Sequence, residues 1–367
     1  MIEFEQVTKV YPDGTEAVKK VTFKVKKGET CVLLGPSGCG KTTLLKMINR
    51  LIPITSGKIL IDKLDNTNLN EVELRRGMGY AIQDIGLFPH ITVAENVFTV
   101  PNLLGWPKVK KRQRVAELVE LVGMDPGEVM DKYPAELSGG QCQRIGVARC
   151  LGADPPILLM DEPFGAIDPI TRENLQDEFL KIQSKIKKTI VFVTHDINEA
   201  IKIGDKIALF KEGELVQYDT PASLLSKPKN DFVAAFVGAD RALKGLRLMK
   251  VEEVMRTSPT MVKVDEDLAV VNRRMEEAGT KWLMVVGDDR KFLGWVGKSY
   301  LEKSDRLKDI IIPPAATATR STILSDALSL MLSSAIGNLA IVDENGLLEG
   351  ELVFDELYKA LRRINVE

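Results

Sequence analysis

Residues Gly35-Pro36-Ser37-Gly38-Cys39-Gly40-Lys41-Thr42 commit this chain to a buried strand, a tight loop and a helix, in that order. The run Thr30–Leu34 before them is apolar, and residues 43–50 after them are helix-forming. The glycines let consecutive backbone N–H groups wrap an anion, the lysine reaches the outer phosphate oxygens, and the following hydroxyl holds magnesium. The loop opens onto a helix N-terminus, where the helix dipole favours negative charge. A phosphate loop placed this way belongs to an α/β sheet, and the rest of the pattern agrees.

Residues 2–35 alternate as strands, with Pro12-Asp13-Gly14 as a turn, and residues 77–82 form another short apolar strand. Residues 87–154 turn helical: Val115, Leu118, Val119 and Val122 recur at helical spacing, and prolines 89, 101, 107, 126 and 134 mark breaks. This is a helical insert in an α/β core. Strands return at 157–160 and 189–194 with a helix over 171–187 between them, which is βαβ order and implies a parallel sheet. Two further strands, 206–211 and 214–218, flank Glu212-Gly213.

After Phe236-Val237-Gly238 the chain becomes polar and basic, and residues 239–250 read as a linker. Beyond it the sequence repeats with a displacement of 56 residues: Val254 falls on Ile310, Met275 on Met331, Leu283 on Leu339, Gly294 on Gly350, Val296 on Leu352. Each copy carries an amphipathic helix, an apolar strand, a turn and a further short strand. The expected domains are 1–238, the linker 239–250, and the two copies 251–306 and 307–365.

At 367 residues the chain exceeds one ordinary core. Its formal charge of −2 gives no global pull toward nucleic acid or an acidic membrane. No run reaches eighteen apolar residues, and Met1-Ile2-Glu3-Phe4-Glu5 lacks the basic and apolar regions of a signal peptide, so the expected compartment is the cytosol. Cys31, Cys39, Cys142 and Cys150 have no metal-ligand spacing and are read as reduced thiols. The basic run Lys108, Lys110, Lys111, Arg112, Arg114 reads as a solvated helix start, and Lys185, Lys187, Lys188 as cations at a helix C-terminus.

A second glycine-rich sequence, Leu137-Ser138-Gly139-Gly140-Gln141, precedes the acidic strand end Leu158-Leu159-Met160-Asp161-Glu162. Phosphoryl transfer to water needs charge neutralisation, a held metal and an oriented water. Lys41 would neutralise the β/γ oxygens, Thr42 and Asp161 would hold magnesium, and Thr43 would reach the α-phosphate. Glu162 would orient or deprotonate the attacking water. Ser138 would cap a helix running to about Leu151, its hydroxyl and the Gly139 and Gly140 amides forming an anion site.

On these motifs, residues 1–238 resemble the ATPase subunits of ABC transporters. The resemblance implies that the 137–141 signature closes on the γ-phosphate bound to a partner subunit, so the active unit is a homodimer. It implies ATP contacts for Tyr11, stacking on adenine, for residues 35–43, for Ser138, Gly139, Gly140 and Gln141, and for Asp168 at the dimer interface. Gln83 would reach the metal and water, and His195 the γ-phosphate; His90 has no assigned role. The C-terminal repeat resembles a tandem pair of CBS modules. There Gly297 and Tyr300, and Val353 and Glu356, stand where nucleotide-binding copies often carry threonine and aspartate. Both halves together resemble the ATP-binding subunit of bacterial importers for glycine betaine, carnitine, choline or proline. That implies ATP and Mg²⁺ as cofactors, cyclic di-AMP or another nucleotide at the CBS modules, permease subunits and an extracytoplasmic binding protein as partners, and a place on the cytoplasmic face of the membrane. Nucleic acid is not an expected partner. Two alternatives stand beside this: CBS modules that only dimerise, in an importer for another solute, and a soluble ABC ATPase, marked by salt-sensitive nucleic-acid binding.

Overall fold

The computed structural model describes residues 1–82, 86–165, 168–334 and 336–366. They form two compact units, Met1–Leu224 with Pro228–Val237, and Gly238–Glu367 with Leu225–Lys227. The first unit holds β1 (Ile2–Val10), β2 (Glu16–Val25), β3 (Thr30–Leu34), β4 (Ser56–Ile61), β5 (Leu64–Asp65), β6 (Met78–Ala81), β7 (Ile157–Asp161), β8 (Thr189–Thr194), β9 (Lys206–Lys211) and β10 (Glu214–Asp219). Strands β2-β1-β4-β5 make an antiparallel sheet, and β10-β9-β3-β8-β7-β6 make the second sheet. In the second sheet β9, β3, β8, β7 and β6 are mutually parallel, and β10 is an antiparallel edge. Every residue of β3, β7 and β8 is buried, as a parallel sheet covered on both faces requires.

The helix Lys41–Ile48 fills the space between the sheets, with Leu44, Leu45, Met47 and Ile48 fully buried against Phe4, Ile59, Leu159 and Phe210. The helices Val93–Leu103, Lys108–Leu121, Pro126–Val129 and Gly139–Leu151 form the helical insert. In the first, Thr92 and Glu95 complete a capping box and Pro101 lies inside the helix. The basic residues Lys110 and Arg112 are exposed at the start of the second, with Lys110 over the Trp106 ring at 4.4 Å.

In the second unit, β11 (Met261–Lys263), β12 (Trp282–Val286) and β13 (Phe292–Gly297) make one sheet, and β14 (Thr317–Ala318), β15 (Asn338–Val342) and β16 (Leu348–Val353) the other. The first pair in each sheet is parallel and the second antiparallel. The structure corrects the linker expected at 239–250. Arg241–Gly245 is helical, Leu246–Leu248 forms a 3₁₀ turn, and Leu246 is fully buried, because its apolar side chain joins the core of Leu324, Met331 and Leu357 while Leu243 and Leu248 stay exposed.

Each copy also begins inside the other's core. Leu246, Val251 and Met255 pack with Leu324, Met331, Leu339 and Leu357, whereas Leu307 and Ile310 pack with Val262, Met275, Leu283 and Val296. Arg256 bridges to Glu351 on β16, and Ile312 bridges to Trp295 on β13. The paired glycines of the repeat lie under these crossings. A Cβ at Gly350 would stand 2.6 Å from the Arg256 carbonyl oxygen, and one at Gly294, whose φ is +147°, would press into that of Ile312.

Truncating Leu307 to alanine should therefore cost about 2–5 kcal/mol. Hydrogen exchange of the full-length protein is expected to show β12 and β15 amides losing protection together. Loss confined to the β14–β15–β16 sheet would contradict the exchange.

Candidate active site

The phosphate loop runs between β3 and the helix Lys41–Ile48, and three of its glycines need their lack of a side chain. Gly35, Gly38 and Gly40 have φ values of +147°, +80° and +98°. A Cβ on Gly35 would press into the Phe210 carbonyl oxygen and lie 2.8 Å from Cys39 Sγ, and one on Gly40 would strike the Ala17 carbonyl oxygen. Pro36, Ser37 and Gly38 are exposed, and Cys39 is buried beneath them. Burial pushes the Cys39 thiol up, against the opposing pull of Lys41. Cys150 is likewise pushed up by burial, to about 11. All four cysteines are free thiols.

Lys41 is 5% exposed, and its Nζ donates to the carbonyl oxygens of Gly35 at 2.7 Å and Pro36 at 2.8 Å. The ammonium therefore lies curled into the loop. Thr42 Oγ1 donates to Asp161 Oδ1 at 2.8 Å. Asp161, at the C-terminal end of β7, is buried; burial is the largest influence on its carboxyl and raises its pKa, while the Thr42 bond opposes the rise. Thr43 Oγ1 is 3.4 Å from the Tyr11 hydroxyl, so the Tyr11 ring stands beside the loop, with Lys9 Nζ 5.2 Å from its centre.

Glu162 follows β7 in a left-handed backbone conformation, φ +45°, and its N–H donates to the Val193 carbonyl of β8 at 3.0 Å. Such backbone strain concentrates at functional positions. His195, just past the end of β8, places Nδ1 3.2 Å from Glu162 Oε2; the histidine side chain is 57% exposed and the glutamate 20%. The carboxylate favours the imidazole tautomer that carries its proton on Nδ1. The structure thus gathers Lys41, Thr42, Asp161, Glu162 and His195 at the C-terminal ends of β3, β7 and β8, the place where open parallel sheets bind ligands.

Ser138 and Gln141 are exposed and engaged with one another: Gln141 N–H donates to Ser138 Oγ at 3.3 Å, and Ser138 N–H to Gln141 Oε1 at 2.9 Å. This capping box leaves the amides of Gly139 and Gly140 pointing from the first helical turn. Cys142 Sγ donates to the Pro134 carbonyl at 3.3 Å, outside that turn's anion-facing groups. Asp168 caps the helix Pro169–Ile186, accepting from Thr171 N–H at 3.0 Å, and this bond holds its carboxyl below the usual range. Among the described residues no hydrogen bond or ion pair joins the 138–141 turn or Asp168 to the loop 35–43. Gln83 lies outside the described residues.

Two neighbours carried no sequence signal. Glu199 is buried behind β8, accepting from Gln176 Nε2 at 3.1 Å, and burial raises its carboxyl. Its position in the first turn of a helix reads in sequence as ordinary dipole pairing. Tyr80, on β6, has a buried hydroxyl with no hydrogen-bond partner.

In the second unit Gly297 is pressed by the Trp282 indole, whose Cζ3 would be 2.6 Å from a Cβ there. The Tyr300 ring lies tilted beside Trp282, 6.2 Å between ring centres, with Lys303 Nζ 4.2 Å from the Tyr300 ring centre. In the second copy Glu356 accepts from Arg256 Nη2 at 3.1 Å and Lys359 Nζ at 3.0 Å, and Val353 ends β16.

Both units resemble known proteins. The ABC transporter family matches residues 18–165, and the CBS domain family matches 251–303 and 307–363. A choline transport ATP-binding protein of Bacillus subtilis is 43% identical, over 98% of this chain and 97% of its own length. An osmoprotectant import ATP-binding protein of Salmonella typhimurium is 45% identical, over 97% of this chain and 94% of its own. A bacterial ABC transporter cassette solved as a dimer superposes on 60% of this chain and 99% of its own, at 34% identity and a TM-score of 0.54.

Gly35→Ala should abolish nucleotide binding while leaving the far-ultraviolet circular dichroism unchanged. Retained affinity, measured with a fluorescent nucleotide, would mean that the loop tolerates a side chain at φ +147°.

Proposed function

The chain belongs to the ATP-binding subunits of ABC transporters, with a tandem CBS pair behind the ATPase cassette, and from that premise we propose that it drives uptake of a quaternary-amine osmoprotectant by hydrolysing ATP at the site built on Lys41, Thr42, Asp161 and Glu162. It is the ATPase subunit of an osmoprotectant import system of the glycine betaine, carnitine and choline type. The observation that carries the site is the pairing of Thr42 with Asp161 at 2.8 Å beside Glu162 with His195 at 3.2 Å.

The chain's own residues divide the work. The loop amides and Lys41 receive the β and γ phosphates, once Lys41 exchanges the Gly35 and Pro36 carbonyls for phosphate oxygens. Glu162 accepts a proton from, or orients, the attacking water, and His195 holds that carboxylate and faces the γ-phosphate. Thr42 and Asp161 offer the hard oxygen donors that suit magnesium, with Gln83 as a third, and the bound ion would neutralise charge on the phosphate oxygens. Ser138, Gly139, Gly140, Gln141 and Asp168 serve the partner subunit's nucleotide, and Tyr11 stacks on adenine.

No helix among the described residues is long and apolar enough to cross a membrane. Attachment to the cytoplasmic face is proposed through permease subunits. A groove of about 440 Å³, lined by Arg75, Tyr80, Ile82, Phe88, Val100 and Arg149, has the mixed apolar and cationic walls that receive a short helix. An extracytoplasmic binding protein would deliver the solute. The CBS pair is proposed as the regulatory input, responding to ionic strength or to a nucleotide such as cyclic di-AMP. Exposed ion pairs such as Lys308–Asp265 at 2.6 Å and Arg320–Glu349 at 3.0 Å are the kind that salt screens.

Reconstituted with its permease in vesicles, the protein should support ATP-driven uptake of radiolabelled glycine betaine, carnitine or choline. Glu162→Gln should bind ATP but hydrolyse it roughly 10²–10⁴-fold more slowly. Unchanged turnover would remove Glu162 from its role. Deleting residues 240–367 should remove the response of uptake to internal salt or cyclic di-AMP; an identical response would place regulation elsewhere.

A further inference from the structure

Tyr80 is a half-buried residue whose ring edges the groove and whose hydroxyl is buried with nothing to bond. Its hydroxyl is excluded from solvent and has no hydrogen-bond partner. Other side chains with an unsatisfied buried atom, such as Asn66, Glu178 and Gln183, bond through a second atom; tyrosine has only one polar atom to use. Stranding a buried hydroxyl is costly, and phenylalanine would fill the same space without that cost. A partner that arrives with the ligand explains such a group.

The sheet shows where that partner lies. Tyr80 on β6 stands opposite Leu159 on the parallel strand β7, so Tyr80, Leu159 and Asp161 share one face. Leu159 and Tyr80 both pack on the core that holds the helix Lys41–Ile48. Burial, then the charge of the Asp161 carboxylate, raises the Tyr80 hydroxyl's pKa. Asp161 commits only Oδ1, to Thr42; its Oδ2 accepts no hydrogen bond among the described residues.

We propose that Tyr80 is a positioning residue for the magnesium site: its hydroxyl donates through one water to Asp161 Oδ2 when nucleotide and metal are bound, fixing the carboxylate's orientation. The donor and the acceptor each lack a partner, and one water satisfies both. Partners of metal-ligating carboxylates act by orienting them, and their removal weakens metal binding more than it weakens the fold. The inference rests on the assignment of Asp161 to the metal.

The test is Tyr80→Phe in the full-length protein, read by binding of a fluorescent ATP analogue during a magnesium titration and again in EDTA. The variant's magnesium midpoint should rise roughly tenfold, with nucleotide affinity in EDTA and the melting temperature unchanged or higher. In an Asp161→Asn background the same substitution should add nothing further. If the unsubstituted protein responds to magnesium and Tyr80→Phe matches it, the role of Tyr80 is refuted while the site stands. If the unsubstituted protein binds nucleotide equally with and without magnesium, the metal assignment of Asp161 itself falls, and the proposal with it.

Discussion

The hydrogen bond from Thr42 to Asp161 spans a strand. β3 carries the loop and β7 ends in the acidic pair, but β8 lies between them in the sheet. Only a parallel sheet whose strands end at a common edge lets residues from non-neighbouring strands meet there. The intervening strand is used as well: Val193 on β8 accepts the Glu162 N–H, and His195 leaves the end of β8 to meet the Glu162 side chain. Sheet order, the buried runs of β3, β7 and β8, and the strained φ of Glu162 all serve the convergence of these few groups.

Much of the site was legible because its chemistry imposes unusual residues. Gly35, Gly38 and Gly40 take backbone angles that side chains resist, and sequence shows glycine there directly. The βαβ order around β7 and β8 was equally plain, with helix ends shifted by one or two residues, as at Pro169–Ile186 against the expected 171–187. Less was visible where residue type is ordinary and its neighbours are remote. β4 reads Ser-Gly-Lys-Ile-Leu-Ile, without alternation, and the neighbour it pairs with, β1, is some fifty residues away in sequence. Glu199 and Tyr80 have common identities, and only burial singles them out. The 239–250 segment misled because basic side chains outnumber the leucine that anchors it.

The second unit shows how a repeat keeps its backbone while its faces diverge. Trp282, Met284 and Trp295 in the first copy correspond to Asn338, Ala340 and Glu351 in the second. Met284, Trp295 and Ala340 join one apolar cluster shared by both copies, and Glu351, buried and with its carboxyl raised by burial, accepts from Asn338 at 2.9 Å on the same face. Large residues on one side thus meet small and polar ones on the other. A symmetric pair would have overfilled or underfilled that space.

The crossing of segments between the copies bears on how the chain is made. Leu246, Val251 and Met255, near the start of the second unit, share a core with residues between Ala318 and Ala360, towards the far end. A chain still emerging from the ribosome holds that entrance open until its tail arrives. The same is true of any chain cut short, so damage at the C-terminus is felt first where the second unit begins.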